Sequence, residues 1–177
     1  VSAFLLNRSS DLFVSDTHFG HANVLTFLDQ EGKHFRRFSS VDEMDETMVE
    51  RWNEVVRPGD KVYHLGDVGF DRERMTRIMP RLRGRKRLVI GNHDDVPWIV
   101  EQGWFQKIQL WWFFKEHDFL ASHVPVHETS LFKVGFNVHG HIHEKPDPSP
   151  RHVNICVERT GYRPLHLDEV KALIAAK

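Results

Sequence analysis

The stretch Arg87-Leu88-Val89-Ile90-Gly91-Asn92-His93-Asp94 ends an apolar run on a glycine and then presents an amide, an imidazole and a carboxylate. Packing alone gives no reason for that order. A strand that stops on glycine can leave by a sharp turn, which stands the polar side chains at its mouth. Four other apolar runs end the same way. Leu12-Phe13-Val14-Ser15 is followed by Asp16-Thr17-His18, and Val62-Tyr63-His64-Leu65-Gly66 by Asp67. Phe119-Leu120-Ala121-Ser122 is followed by His123, and Phe136-Asn137-Val138-His139-Gly140 by His141-Ile142-His143. Ligands of open α/β sheets bind outside the carboxyl ends of the strands, so these five ends are expected to share one rim.

The segments between the runs predict the rest of the fold. Ser40-Val41-Asp42-Glu43 is a capping-box pattern. Behind it Val41, Met44, Met48, Trp52 and Val55 recur at helical spacing, which predicts a helix over 41–56 that Arg57-Pro58-Gly59-Asp60 stops. Shorter helices are expected over 23–28, 72–82, 96–102 and 168–176, the last with Val170, Leu173 and Ile174 on one face. Strands are expected over 12–15, 61–65, 86–90, 136–138 and 153–157. Residues 105–115 and 119–122 read as a hairpin turning at Glu116-His117. An early β-α-β-α-β half followed by a mostly β half predicts one layered α/β domain over 1–177, with mixed sheets.

Composition narrows the class. The chain has 177 residues, 40% hydrophobic and 28% charged, enough for one sizeable core. A net charge of -1 carries no signature of a duplex-binding or membrane-surface protein. The single cysteine, Cys156, lies in the apolar run 153–157 and reads as a buried, inert thiol in a reducing compartment. No stretch is long enough to cross a membrane, and Val1 to Asn7 lack a signal peptide's basic start and apolar core, so the cytoplasm is the expected location.

Aspartate and histidine together, without a thiol, suit a divalent transition metal. Asp16, His18, Asp67, Asn92, His123, His141 and His143 are too many ligands for one ion and fit two if a carboxylate bridges. In an extended chain the alternation His141-Ile142-His143 puts both imidazoles on one face.

In this arrangement the sequence resembles the calcineurin-like metallophosphoesterases. Asp16-x-His18, Gly66-Asp67, Gly91-Asn92-His93-Asp94, His123 and Gly140-His141-x-His143 match that family's five blocks in order, across most of the chain. Phe13 to His21 and Thr160-Gly161-Tyr162-Arg163-Pro164 are further similar to its small bacterial and phage branch. The resemblance implies a four-layer α-β-β-α sandwich of two mixed sheets, the metallo-dependent phosphatase fold, with a dinuclear site on one rim. It implies that Asp16, His18, Asp67 and His143 hold the first ion, that Asp67 bridges, and that Asn92, His123 and His141 complete the second. Manganese is the expected metal, with iron, zinc, nickel or cobalt as other choices. The implied reaction is in-line attack of a metal-bridging hydroxide on a phosphate ester, the ions clamping attacking and leaving oxygens. His93 is then a catalytic group rather than a ligand and assists the leaving oxygen, a role suited to an imidazole.

The chain departs from the family at one point. Relatives place an aspartate three residues after the Gly-Asp aspartate, where it orients the catalytic histidine; here Asp71 comes one position late. Asp71, Asp94 or a backbone carbonyl is left to orient His93, and Arg72 as a phosphate contact is equally open. His21 is a further substrate-binding candidate. Glu31 to Phe38, with His34, Arg36 and Arg37, reads as a flap bringing a cation, Arg37, to phosphate. His64 and His139 read as packed or supporting, and His127 and His152 as solvated. The basic run Arg81 to Arg87 reads as a solvated connection opposite the rim, and Trp111-Trp112-Phe113-Phe114 as buried between layers or in an oligomer contact.

The expected function is hydrolysis of a small phosphodiester or phosphomonoester, a nucleotide among the candidates, with the diester favoured because no cap domain encloses a monoester. A nuclease acting on DNA or RNA ends is the second reading, against which the near-neutral charge counts. A catalytically silent metal-binding scaffold is the third, against which an intact His93 counts.

Overall fold

A computed structural model describes residues 10–29 and 31–177; the reading of Val1 to Asn7 lies outside them. Four strands, β1 (Asp11–Val14), β2 (Lys61–His64), β3 (Arg85–Val89) and β4 (Phe105–Gln109), run parallel in the order 4-3-2-1. A ninth strand, β9 (Leu165–His166), is antiparallel to β1 at the far edge. The second sheet has the order β5 (Trp111–Phe114), β6 (Phe119–Ser122), β7 (Phe136–His139), β8 (His152–Asn154), with only β5 antiparallel. Both sheets are therefore mixed.

Period-two alternation divides the first sheet between two cores. Leu12, Val14, Val62 and Leu88 face α1 (Val41–Val55), α2 (Arg72–Ile78) and α3 (Val96–Gln102), meeting Met44, Met48, Trp52, Met75, Ile78 and Ile99. Phe13, Tyr63, Leu65 and Val89 face the second sheet, meeting Phe119, Ala121, Val138 and Val153. A single helical turn, α4 (Val157–Thr160), follows β8, and α5 (Leu167–Ala175) adds Val170 and Ile174 to the core between the sheets.

The cap of α1 differs from the expected box. Ser40 Oγ accepts from Glu43 N at 3.1 Å, but the Glu43 carboxylate takes the N–H of Ser39 (2.7 Å) rather than that of Ser40. Other expectations are corrected. Residues 105–115 are not one hairpin arm: the chain changes sheets at Leu110, so β4 joins β3 while β5 alone pairs with β6. The run 153–157 is not one strand, because Asn154 Oδ1 accepts from Cys156 N at 2.9 Å and turns the chain into α4. The helix over 72–82 stops at Ile78 and tightens into a 3₁₀ turn through Pro80, and the segment after His21 is also 3₁₀ (Ala22–Thr26). Leu173 does not share the buried face of α5; it is exposed.

The fourth layer also differs. The outer face of the second sheet, at Leu120, is covered by Val126, Leu131 and Val134 from the connection between β6 and β7, whose described regular structure is one 3₁₀ turn (Glu128–Ser130). No helix of the described residues is long and apolar enough to cross a membrane.

Candidate metal centre

All five polar strand exits leave the carboxyl ends of parallel strands, β1, β2 and β3 in one sheet and β6 and β7 in the other. The exits are bonded to one another within each sheet, and Ser15 and Cys156 link the two sheets. Ser15 bridges to Cys156, Asp16 N donates to Gly66 O (3.0 Å), His18 N to Asp67 O (3.1 Å) and Gly140 N to His123 O (2.9 Å). A Cβ on Gly140 would overlap the Ser15 and Asp16 side chains, so this approach requires glycine.

Two groups of donors result, Asp16, His18 and His143 in one and Asp67, His123 and His141 in the other, each with ligand atoms within 4.8 Å of one another. Asp67 Oδ2 stands between the groups, 3.7 Å from His18 Nε2 and 3.4 Å from His123 Nε2. The backbone is strained at these residues. Positive φ occurs at Asp16 (59°), His18 (51°), Asp67 (55°), His141 (69°) and His143 (52°), and otherwise only at Asp118, Tyr162 and glycines among the described residues. Left-handed conformations of non-glycine residues cost about 1–3 kcal/mol each and persist where surrounding structure over-determines them. A helix cap or a solvated turn does not call for five of them on one rim.

The donor chemistry fits cations. Among the described residues Asp16 Oδ1 and both ring nitrogens of His18 are buried without a hydrogen-bond partner, 3.6 Å separating Asp16 Oδ1 from His18 Nε2. The other Asp16 oxygen is saturated by Ser15 Oγ (2.5 Å), His141 N (2.9 Å) and the Cys156 thiol (3.2 Å). His123 Nδ1 donates to Leu65 O (2.8 Å), so the Nε2 of its neutral ring carries a lone pair. That lone pair meets Asn92 Oδ1 at 2.8 Å and Asp67 Oδ2, an assembly of acceptors that only a proton or a metal ion satisfies.

The ionisation states agree. Burial opposes the Asp16 carboxylate, yet His18, His123 and His143 hold it well below the usual carboxylate range. Burial likewise opposes ionised Asp67, and the His123 contact more than offsets it. Burial pushes the His18 and His141 imidazoles down, towards the neutral ligand form. His123 and His143, also opposed by burial, are raised by Asp67 and Glu158 respectively.

Behind the first group lies a buried arrangement that the sequence did not reveal. Glu158, on α4, accepts from His143 Nδ1 at 3.1 Å and pairs with Arg36 at 2.6 Å. Arg36 is fully buried and donates to the carbonyls of Asp16 (2.5 Å) and Thr17 (2.8 Å). A carboxylate behind a ligand histidine fixes its tautomer and raises its basicity. His143-x₁₄-Glu158 was hidden because 153–157 read as a continuous strand. The expected flap is anchored by Arg36, while Arg37 is exposed and, among the described residues, held only by a 3.4 Å bond to His34 O.

The remaining candidates separate. His93 is exposed, its backbone N–H donates to Asp67 Oδ1 (2.9 Å), and its ring lies 4.8 Å from Phe70 and 6.0 Å from His18. Neither candidate orients that ring. Asp71 caps α2 by accepting from Arg74 N (3.0 Å). Asp94 accepts from the backbone N–H groups of Asp67, Val68 and Gly91 at 2.8–3.1 Å and so shapes the turns that carry Asp67 and Asn92. Arg72 pairs with Asp95 and lies over Trp98 (5.3 Å), away from the donors. His21 stacks on Phe70 at 4.1 Å beside His18, and burial lowers its pKa to about 4. It makes no side-chain cap to the following turn.

His64 and His139 are buried, as expected. The Thr17 hydroxyl gives its proton to Val68 O (2.7 Å) and therefore accepts from His64 Nε2 (2.9 Å). His152 is not solvated; it is buried between Ser149 Oγ (2.8 Å) and Val126 O (2.9 Å). Cys156 is buried and its thiol is held well above its ordinary pKa, first by burial and then by Asp16 and Glu158. The basic run is engaged locally: Arg81 with Glu46, Arg83 with Asn53, and Arg87 with Tyr63. Trp112 and Phe114 pack between the sheets, whereas Trp111 is exposed.

No family model matches the chain. It is 33% identical to the uncharacterized protein MJ1445 of Methanocaldococcus jannaschii over 171 residues, 91% of this chain and 89% of that protein. It is 29% identical to the gene 66 protein of Mycobacterium phage L5 over 122 residues, 67% of this chain and 55% of that protein. Among solved structures, AQ665 of Aquifex aeolicus, a protein of unknown function, matches 94% of this chain and 100% of its own, with a TM-score of 0.74 at 25% identity.

Proposed function

The chain belongs to the same family as the M. jannaschii protein, and we propose that it is a metal-dependent phosphoesterase of the calcineurin-like kind, with the metallo-dependent phosphatase fold. The observation that carries this reading is the pair of His/Asp groups meeting at Asp67, with the exposed His93 attached to that carboxylate through its backbone. Asp16, His18, Asp67 and His143 would hold one ion; Asp67, Asn92, His123 and His141 would hold the other. When bound, two divalent ions, manganese before iron, zinc, nickel or cobalt, supply Lewis acidity towards phosphate oxygens and lower the pKa of water towards neutrality.

The chain's own groups do the rest. Glu158 and Leu65 O fix the tautomers of His143 and His123, so that each ring turns its lone pair inward. Asp94 holds the Asp67 and Gly91 turns, which sets the position of His93 relative to the shared carboxylate. His93 delivers a proton to the departing ester oxygen of a diester or monoester. Phe70, stacked on His21, lies 4.8 Å from the His93 ring and flanks it on one side.

Purified protein supplemented with manganese is expected to hydrolyse bis-p-nitrophenyl phosphate or p-nitrophenyl phosphate. Turnover of neither, with any divalent metal, would refute the activity. His93→Ala is expected to retain both ions and lose roughly 10²–10⁴ in rate, the usual contribution of a general acid. Loss of metal instead would make His93 a ligand.

A further inference from the structure

Beside the first donor group a cavity of about 390 Å³ opens between Asp29, the loop 31–38 and the turn after α4. The proposed chemistry leaves it unused. Its walls are aromatic: Phe35, Phe38 and Tyr162, with Phe38 edge-on to Tyr162 at 4.9 Å. The Phe35 ring lies 5.5 Å from that of His143, so the cavity and the metal centre share a wall. Tyr162 reaches its position in a left-handed conformation (φ 60°), uncommon for so large a side chain.

The polar lining is mixed. Arg51 spends one N–H on Gly161 O (2.8 Å) and lies 5.9 Å over the Tyr162 ring, and Arg37 donates to His34 O of its own loop. Among the described residues their remaining N–H groups have no hydrogen-bond partner. Asp29, Glu144 and Glu158 add acceptors to the same lining. Asp29 spends Oδ1 on the loop N–H groups of Glu31 and Lys33, and Glu158 spends Oε1 on Arg36 and His143 while its buried Oε2 has no partner among the described residues, so Glu144 and the second oxygens of these two carboxylates can accept from a ligand. The two guanidiniums share the lining with three carboxylates, so the cavity does not select a second phosphate. It offers flat apolar walls with both donors and acceptors at the edge, the complement of an uncharged heterocycle that carries both. Purine and pyrimidine bases have that chemistry, and they are bound by stacking on aromatic faces with hydrogen bonds at the base edge.

We infer that this cavity is a nucleoside subsite, and that the ester hydrolysed at the adjoining centre is a nucleotide whose base stacks against Tyr162 and Phe35 with Arg51, Arg37 and Glu144 at its edge. The inference rests on the phosphoesterase reading for the reaction, but the subsite can be tested without it. In the full chain treated with EDTA, titration with each ribonucleoside followed by two-dimensional NMR is expected to shift the amides of residues 34–38 and 161–163, and ribose is expected not to. Tyr162→Ala should weaken that binding by about tenfold or more, the size of a lost stacking contact, and Tyr162→Phe should restore most of it. Arg51→Ala, at an exposed position, provides a second variant that gives up one hydrogen bond to the turn, at Gly161 O, but keeps the Tyr162 and Phe35 walls. With manganese present, kcat/KM for thymidine 5′-p-nitrophenyl phosphate should exceed that for bis-p-nitrophenyl phosphate, and Arg51→Ala should bring the ratio towards one.

Nucleosides that shift these amides no more than ribose does would overturn the subsite, as would equal use of the two esters. Selective nucleoside binding with hydrolysis of neither ester would leave the subsite standing and remove the phosphoesterase. Hydrolysis without base selectivity would do the reverse.

Discussion

The two donor groups hold similar side chains but are anchored differently. Asp16, His18 and His143 are backed by buried charge: Arg36 grips the Asp16 and Thr17 carbonyls and pairs with Glu158, which in turn holds His143. Asp67, His123 and His141 are backed mainly by main chain: Leu65 O holds His123, and Asp94 gathers three N–H groups around the Asp67 turn. The first arrangement spans 122 residues of sequence and depends on a desolvated ion pair. The second joins the exits of β2 and β3 in one sheet to those of β6 and β7 in the other, each held by its own turn. The first group should therefore fail when a distant charge is removed, and the second when a local turn is disturbed.

The change with the largest expected effect removes the one residue the groups share. Asp67→Ala is expected to take bound metal from about two ions per chain to about none and to abolish turnover, since a carboxylate between two ions supports both. Metal content after dialysis, measured by plasma mass spectrometry, checks this. A variant that keeps one ion at full occupancy would show that Asp67 serves a single group and that its place between His18 and His123 is incidental.

Glu158→Gln probes the anchoring itself. It leaves the Arg36 guanidinium buried without a charged partner. Breaking a buried pair in this way typically costs about 3–5 kcal/mol, and the retained amide places this variant at the low end. It also removes the carboxylate behind His143, expected to weaken the first ion by roughly 10–100-fold while the second is kept. Urea unfolding of the metal-free protein gives the first figure, and stepwise titration with manganese the second. Equal weakening of both ions would show that the groups are not separately supported.

The same contrast governs what could be seen in the sequence. The second group and the exits of β1, β2 and β3 were legible because a short apolar run, a small residue and a polar cluster all occur within one local stretch, as in Val89-Ile90-Gly91-Asn92. The helix behind Ser40 was legible for the same reason. Glu158 and Arg36 were not. Their roles arise from a contact between distant segments, and the Asn154 turn that brings Glu158 inward interrupts a run whose apolar content reads as strand. Local alternation also does not say which sheet a strand joins, so the change of sheet at Leu110 between β4 and β5 could not be read from 105–115. The helix expected over the second sheet was a property of the resemblance, and Val126, Leu131 and Val134 cover that face from a connection of little regular structure.

The smallest expected effect concerns the carboxylates that hold the ligand loops. Asp94 uses both oxygens on three N–H groups beside Asp67, so an amide cannot replace it without turning a donor towards donors. Asp45, on α1, carries less: it accepts from Gly20 N (3.1 Å), just past His18, with Arg74 at 3.4 Å. Burial raises its pKa from 3.8 to about 6, further than Arg74 and the Gly20 N–H lower it. Between those values the folded chain keeps a proton that the unfolded chain releases. The stability Asp45 contributes is thus fully present below about pH 4 and is lost as pH rises towards 6. Asp45→Asn keeps an acceptor for Gly20 and has no charge to desolvate. In chelator, its unfolding free energy relative to the unsubstituted protein should rise between pH 4 and 6 and level off above, by on the order of 1 kcal/mol after allowance for solvent screening. Taking this difference cancels the titration of the ligand residues, which both proteins share. A difference that stays flat across the window would mean that Arg74 keeps Asp45 ionised in the folded chain, and that the loop after His18, like the group it serves, is anchored by charge.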